Sequence, residues 1–400
     1  MDITSRRTPP ELPSPGNAAF YLFYEQRLRE NIAKMRNSFA ELYGNFTIAY
    51  SFKTNYLRRI CDIANENCCM AEVVSTQEKD YAIAIHFGEN RMVYNGVVPD
   101  PEGKYQIALR GGYVNVDNIE EYKSISEIAN RRKQRIKLGV RVNFDIGNGL
   151  NSRFGVDITG YEFAMLMREI GCDEYVCFGG FHCHIGTARP AKYWREKITK
   201  MIELAKKYKA SYIDLGGGMY GPMPEELASQ FTGYASSFDE YADAVAVPMK
   251  EAFPDEKVEL IVEPGTALVG NTMDVVAHIT GIKNVRGKTY ITVDCNSNHI
   301  GMLCECRVIP VELIDTGHGP TYEVIDGCIA GNTCLEFDYI RKEFSGNVKI
   351  GDTLVFKNCG AYSIGASRQF IVPRLGVRDG TTFAVLKFAE DAGDVFKNYL

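Results

Sequence analysis

Short apolar runs and longer amphipathic stretches alternate along the first two thirds of the chain. Runs of four to six residues recur at 47–52, 71–74, 91–94, 113–116, 137–142, 177–182, 211–215 and 259–262. Between them, segments such as "TKMIELAKKYKA" and "YADAVAVPMKEAF" repeat their apolar positions at helical spacing. Eight strands alternating with helices over ~250 residues predict a closed (β/α)8 barrel, placed at 23–270. A doubly wound open sheet is the alternative. The count of eight and the lack of an early Gly-x-Gly-x-x-Gly turn disfavour it. After about residue 272 the helical spacing stops. "MDVVAHITGIK", "TYITVDC", "RVIPVELI", "TYEVIDGCI", "DTLVFKN", "RQFIVPR" and "FAVLKFA" are β-rich runs separated by Gly, Asn and Pro, and they predict an all-β domain over 271–400. The opening "MDITSRRTPPELPSPG" predicts an N-terminal arm, placed at 1–22.

Composition narrows the function classes. The chain is 45% hydrophobic and 24% charged, as in ordinary globular proteins. A net charge of -6 and the absence of a basic stripe argue against nucleic acid. No run of 18 apolar residues predicts a membrane span, and the N-terminus lacks the apolar core of a secretory signal. The 12 cysteines are scattered, Cys68 and Cys69 are adjacent, and "CEC" at 304–306 has no second pair at zinc-finger spacing. Reduced thiols in a cytoplasm, without a metal, are the expectation.

In a parallel barrel, chemistry gathers at the C-terminal ends of the strands. Those ends carry Lys53; Glu72 with Ser75 and Glu78; Asn95-Gly96; Asp117; Arg141 and Asn143; His182, His184 and Thr187; "DLGGGMYG"; and "EPGT". Lys53 follows the apolar run "TIAYSF". It is either a surface lysine capping a strand or an amine whose pKa is lowered so that it forms a Schiff base. Gly216, Gly217 and Gly218 let backbone N–H groups converge on an anion, a flexible turn being the other reading. No Gly-Lys-Ser/Thr follows, so a phosphate-bearing cofactor is implied rather than a nucleotide. His182 and His184 point the same way in extended chain. A metal pair lacks a clear third ligand nearby. A histidine face stacked on a flat ring is the other functional use, and for His182 a satisfied core histidine is expected.

Together these residues resemble the pyridoxal-phosphate-dependent decarboxylases with an alanine-racemase-like barrel (fold type III), among them the diaminopimelate, ornithine and arginine decarboxylases. "SFKTN", "AEVVSTQE", "VYNGVV", "NVDN", "RVN", "SRFG", "HCHIGT", "LGGGMYG", "EPGT", "GNTCLEFD" and "GAYSIG" follow the family's motif order over nearly the whole chain. The resemblance implies pyridoxal 5'-phosphate held by Lys53, with Glu263 pairing its ring nitrogen and His184 stacking on its ring. Gly216, Gly217, Gly218, Gly265, Thr187 and Tyr362 would bind it, the triple glycine, Thr187 and Tyr362 at the phosphate. Glu72 and Arg141 would order the hydrogen bonds around it. Cys334 would return a proton to the substrate, with Leu335, Glu336, Asp338 and Tyr362 beside it. In the family this cysteine segment comes from the partner subunit, so a homodimer with shared sites is implied. A racemase on the same barrel is a second reading. It needs a second base, and the Cys334 segment argues against it. A non-catalytic pyridoxal-phosphate-binding homologue is a third, against which the retained lysine, cysteine and glycines argue.

Three departures bear on the substrate. The residue after the cysteine is usually acidic in the family and contacts a distal amine; here it is Leu335, with Glu336 next. The eighth-strand motif usually ends in arginine, and here Thr266 stands there. Arg-Pro, found in the diaminopimelate enzymes, is absent from "VDCNSNHIG" around Asp294. These changes point away from ordinary meso-diaminopimelate and toward a modified, longer or carrier-bound amino acid. Arg153, Arg189 and Arg368 are candidate substitute cations.

Overall fold

The structure, a computed structural model, describes residues 18–397 apart from 148, 150, 187, 232–234 and 369. The expected arm therefore lies largely outside the described residues, as does Thr187. The strands in chain order are β1 (Phe20–Phe23), β2 (Phe46–Ser51), β3 (Met70–Val73), β4 (Met92–Tyr94), β5 (Tyr113–Val116), β6 (Ile136–Asn143), β7 (Val156–Asp157), β8 (Val176–His182), β9 (Tyr212–Asp214), β10 (Glu259–Val262), β11 (Met273–Val285), β12 (Lys288–Val293), β13 (Val311–Ile314), β14 (Tyr322–Ala330), β15 (Tyr339–Val348), β16 (Thr353–Phe356), β17 (Gly376–Asp379) and β18 (Val385–Lys387).

Two compact units divide them. The first comprises Arg29–Gly221 with Ala235–Leu268. In it β2, β3, β4, β5, β6, β8, β9 and β10 pair in that order, all parallel, and β10 closes back on β2. This is a closed eight-stranded barrel with helices between its strands. Strands buried on both faces read as continuous apolar runs, which is why the sequence pattern found each of them. The short β7, parallel to β6, carries no such run. One layer of the barrel interior is apolar, with Ala49, Met70, Val93, Tyr212 and Ile261 packed together beside Tyr113. Strand register then brings polar residues level at the C-terminal ends: Ser51 opposite Glu72, and Arg141 opposite His182, itself opposite Asp214.

The second unit takes in the described residues of Met1–Leu28, Pro222–Tyr234 and Val269–Leu400. Its sheet runs β15-β14-β12-β11-β1-β17-β18, with β16 pairing β11 and β13. Residues 20–22, assigned from the sequence to the arm, belong instead to β1, which lies between β11 and β17. Among the described residues of "RQFIVPR" there is no strand, only a bridge between Phe370 and Val372; Pro373 has no N–H to give to a ladder. Among the described residues no helix is long and apolar enough to cross a membrane, and all 12 cysteines are free thiols.

Candidate active site

Every residue of "SFKTN" has a structural assignment. Ser51 ends β2 and its Oγ donates to Glu72 Oε2 (2.6 Å). Phe52 is fully buried and meets Phe87 edge-on at 5.6 Å. Thr54 is buried against Gly265, where a Cβ would stand 1.9 Å from Thr54 Oγ1. Asn55 caps the following turn by accepting from Leu57 N (3.0 Å), while its carbonyl accepts from Tyr50 Oη (2.6 Å). With both neighbours inserted in the core, Lys53 is aimed by default. Its Nζ pairs with Glu72, which is 1% exposed.

Lys53 and Glu72 line a cavity of about 260 Å³ with Asn95, Arg141, Arg153, His182, His184 and Glu263. The Arg141 guanidinium is fixed between Asp117 (3.6 Å) and the Phe154 ring (4.6 Å). His184 Nδ1 accepts from Gly217 N (2.9 Å), which leaves the ring proton on Nε2. Burial, reinforced by Lys53, pushes this imidazole well below its ordinary pKa, so it is neutral at neutral pH. His182 departs from the satisfied core histidine expected of it. It is 1% exposed, yet neither ring nitrogen has a hydrogen-bond partner, and Nε2 stands 3.4 Å from Glu263 Oε2 without bonding geometry.

Glu263 is the hub. It accepts from Asn95 Nδ2. Asn95 Oδ1 accepts from Asn115 Nδ2 (2.8 Å), and Asn115 Oδ1 accepts from Tyr212 Oη (2.7 Å). This relay crosses the barrel between β9, β5, β4 and the end of β10. It needs Gly139, because a Cβ there would lie 1.9 Å from Tyr212 Oη and 2.2 Å from Asn115 Oδ1. Asp214 lies beside Glu263. Burial and the Glu263 charge push the Asp214 carboxyl well above the carboxylate range. Burial acts on Glu263 in the same direction, but His182, Lys53 and His184 outweigh it and hold Glu263 low. The pair therefore holds one proton, on Asp214. His182, Asp214 and Glu263 also present ligand-capable atoms within 4.8 Å of one another. A protonated Asp214 is a poor anionic ligand: its Oδ1 accepts from Gly216 N, and its Oδ2 is buried without a hydrogen-bond partner.

The glycine loop is less open than its motif suggests. Gly216 and Gly218 take φ of +64° and +100°, which favours glycine, and a Cβ on Gly216 would meet His184 at 2.6 Å. Gly216 N, however, donates to Asp214 Oδ1 (2.9 Å), and Gly217 N to His184. Of the three amides expected to converge on an anion, only Gly218 N has no acceptor among the described residues.

The residues expected at the substrate's far end lie in the β unit. Cys334, Leu335, Glu336 and Asp338 line a cavity of about 470 Å³ with Lys283, Tyr290 and Tyr339. Cys334 is exposed. Asp338 holds its own loop instead of facing outward: Oδ1 accepts from Ser297 N (2.9 Å), and Oδ2 from Thr333 N (3.1 Å) and Oγ1 (2.6 Å). Tyr362 sits in the β unit at φ +53°, a costly conformation for a bulky residue. Of the candidate substitute cations, Arg153 lines the barrel cavity; Arg189 and Arg368 do not. Sequence reasoning assigned no role to Asn95, Asn115, Tyr212 or Asp214. Three of them stand within or beside quoted motifs, and burial at a strand end was the missing signal.

Residues 26–270 match the family described as "Pyridoxal-dependent decarboxylase, pyridoxal binding domain". The chain belongs to this family. It is a pyridoxal-phosphate-dependent amino-acid decarboxylase, a carboxy-lyase. Similar curated decarboxylases include diaminopimelate decarboxylase of Aquifex aeolicus, 25% identical over 393 residues covering 90% of this chain and 86% of that one. The diaminopimelate decarboxylase of Methanothermobacter thermautotrophicus is 27% identical over 390 residues, covering 90% and 86%. The fold matches the crystal structure of diaminopimelate decarboxylase from Methanocaldococcus jannaschii, with a TM-score of 0.83 at 22% identity over 98% of this chain and 93% of that one.

Proposed function

We propose that this decarboxylase acts on an amino acid whose far end is modified or attached to a carrier, in a cytoplasmic homodimer with shared sites. Leu335 carries the substrate reading. An apolar side chain follows Cys334 where the resemblance calls for an acidic partner to a distal ammonium. Leaving a buried ammonium unpaired costs ~3–5 kcal/mol.

Several features support pyridoxal phosphate in the barrel cavity. Lys53 offers an amine beside a buried carboxylate. An ionised Glu263 suits a protonated ring nitrogen. The buried His182 carries unpartnered ring nitrogens, and the Gly218 amide has no acceptor among the described residues. When bound, the cofactor supplies an electron sink for the pair left behind as the substrate carboxylate departs as CO2. The chain's residues do the rest. Lys53 would hold the cofactor, and Glu72, paired with its Nζ, would take up and return the proton of that amine. Glu263, which accepts from Asn95 and is held ionised beside a protonated Asp214, would keep a proton on the ring nitrogen. His184, neutral and fixed by Gly217, would lie against the ring. Arg141 orders the polar groups beside Glu72. The exposed Cys334 thiol, contributed by the partner subunit, would return a proton to the substrate.

The test is CO2 release over a panel of D- and L-amino acids and their acylated derivatives. Turnover of a derivatised amino acid, abolished in Lys53→Ala, is expected. Efficient turnover of free ornithine, lysine or diaminopimelate overturns the substrate reading, and failure of every amino acid in the panel overturns the account of the site.

A further inference from the structure

We propose that Lys197 is a positioning residue that clamps the glycine loop and, as an ammonium, supplies the buried positive charge for the phosphate of a cofactor seated there. This rests on the reading of the barrel cavity given above. Lys197 belongs to the helix Ala191–Tyr208 and is 0% exposed. Its Nζ donates to Leu215 O (2.7 Å), the carbonyl of the peptide whose N–H belongs to Gly216. That N–H donates to Asp214 Oδ1. The Leu215–Gly216 peptide is thus held on both faces, and the positive-φ turns of the loop start from a fixed plane. Two of the three glycine amides are engaged internally, so the loop alone offers an anion little. A buried ammonium on its first carbonyl restores the missing charge.

The same ammonium lies 3.7 Å from the centroid of the Trp194 ring. Trp194 is the only tryptophan of the chain and stacks edge-on against Tyr241 at 5.4 Å. Its fluorescence therefore reports on Lys197. Burial pushes Lys197 down to about 8, against Cys183, Asp214 and Glu263, which face it from the ends of β8, β9 and β10 and favour its charge. Cys183 is itself pushed up to about 11 by burial, Asp214 holds its proton, and Tyr241 stays neutral. Lys197 is then the group among these that titrates between pH 7.5 and 9.5. An anion that prefers the ammonium must bind less tightly as pH rises through that range.

The probe is 4'-deoxypyridoxine 5'-phosphate, which carries the phosphate but lacks the aldehyde that would engage Lys53. Binding to the cofactor-free full-length chain is followed by Trp194 fluorescence. Affinity is expected to hold up to pH 7.5 and fall toward tenfold per pH unit above the Lys197 pKa. Lys197→Met should bind at least tenfold more weakly at pH 7 with a flatter profile, and Lys197→Arg should keep its affinity to higher pH. If Lys197→Met does not fold, the wild-type and Lys197→Arg profiles decide. Wild-type affinity in Lys197→Met, or parallel profiles in wild type and Lys197→Arg, overturns the proposal. Failure of pyridoxal phosphate itself to bind wild type would instead strike the reading of the cavity.

Discussion

Asn95 donates its side-chain amide to the Glu263 carboxylate, joining the ends of β4 and β10 across the barrel interior. The bond fixes one Glu263 oxygen and ties the hub to Asn115 and Tyr212. Asn95→Ala is expected to cost ~1–3 kcal/mol of stability, because it strands buried polar groups. It should also slow decarboxylation while cofactor loading stays high. Glu263→Gln, which cannot hold the ring proton by charge, should lower kcat by about 10²-fold. Thermal unfolding and steady-state kinetics of both variants check this.

Glu78 gives the protein a pH-dependent weakness near neutrality. It is 8% exposed, and its Oε2 accepts from Val74 N (2.9 Å). Burial pushes its carboxyl up to about 7, with Glu72 adding to the rise. A carboxyl raised on folding contributes stability that is full below its unfolded pKa and is lost as pH rises through the folded value, at up to ~1.4 kcal/mol per pH unit. Glu78→Gln keeps an acceptor for Val74 and cannot ionise. Its stability relative to wild type should therefore rise between pH 5 and 8 in denaturant titrations. A constant difference would contradict the assignment.

The barrel was legible because its strands are buried on both faces and read as apolar runs. β15 was not, because only Ile340, Phe344 and Val348 of "YIRKEFSGNV" are buried, too widely spaced among polar residues to read as an apolar run. β1 escaped as four residues beside a Pro-rich segment. Lys53, Glu72, Arg141, His184 and Glu263 were legible from their places at strand ends, and one cavity holds all five. The Asn95–Glu263 bond spans 168 positions, and no local pattern announces it. The glycine motif suggested three amides for an anion; that Asp214 and His184 already claim two of them depends on folded geometry alone.

Cys334 and Lys53 should complement each other across subunits. Mixed Lys53→Ala and Cys334→Ala chains, each inactive, are expected to regain up to about half of wild-type activity per heterodimer, since one of its sites is then intact. No recovery despite subunit exchange, demonstrated by mass spectrometry, would contradict a shared site.

Leu335→Asp should raise activity toward free ornithine or lysine and lower it toward the derivatised substrate. Restoring a partner for a distal ammonium is worth ~3–5 kcal/mol, or two to four decades in binding. Comparison of kcat/KM on both substrates reads the switch. If both fall together, Leu335 does not determine specificity.

The central claim is that Lys53 carries the cofactor. Protein incubated with pyridoxal phosphate, reduced with borohydride, digested and mapped by mass spectrometry tests it most directly. One modified peptide, bearing the cofactor on Lys53 and absent from Lys53→Ala, is the expected result; a label on another lysine, or no label after a chromophore-free incubation, would contradict it.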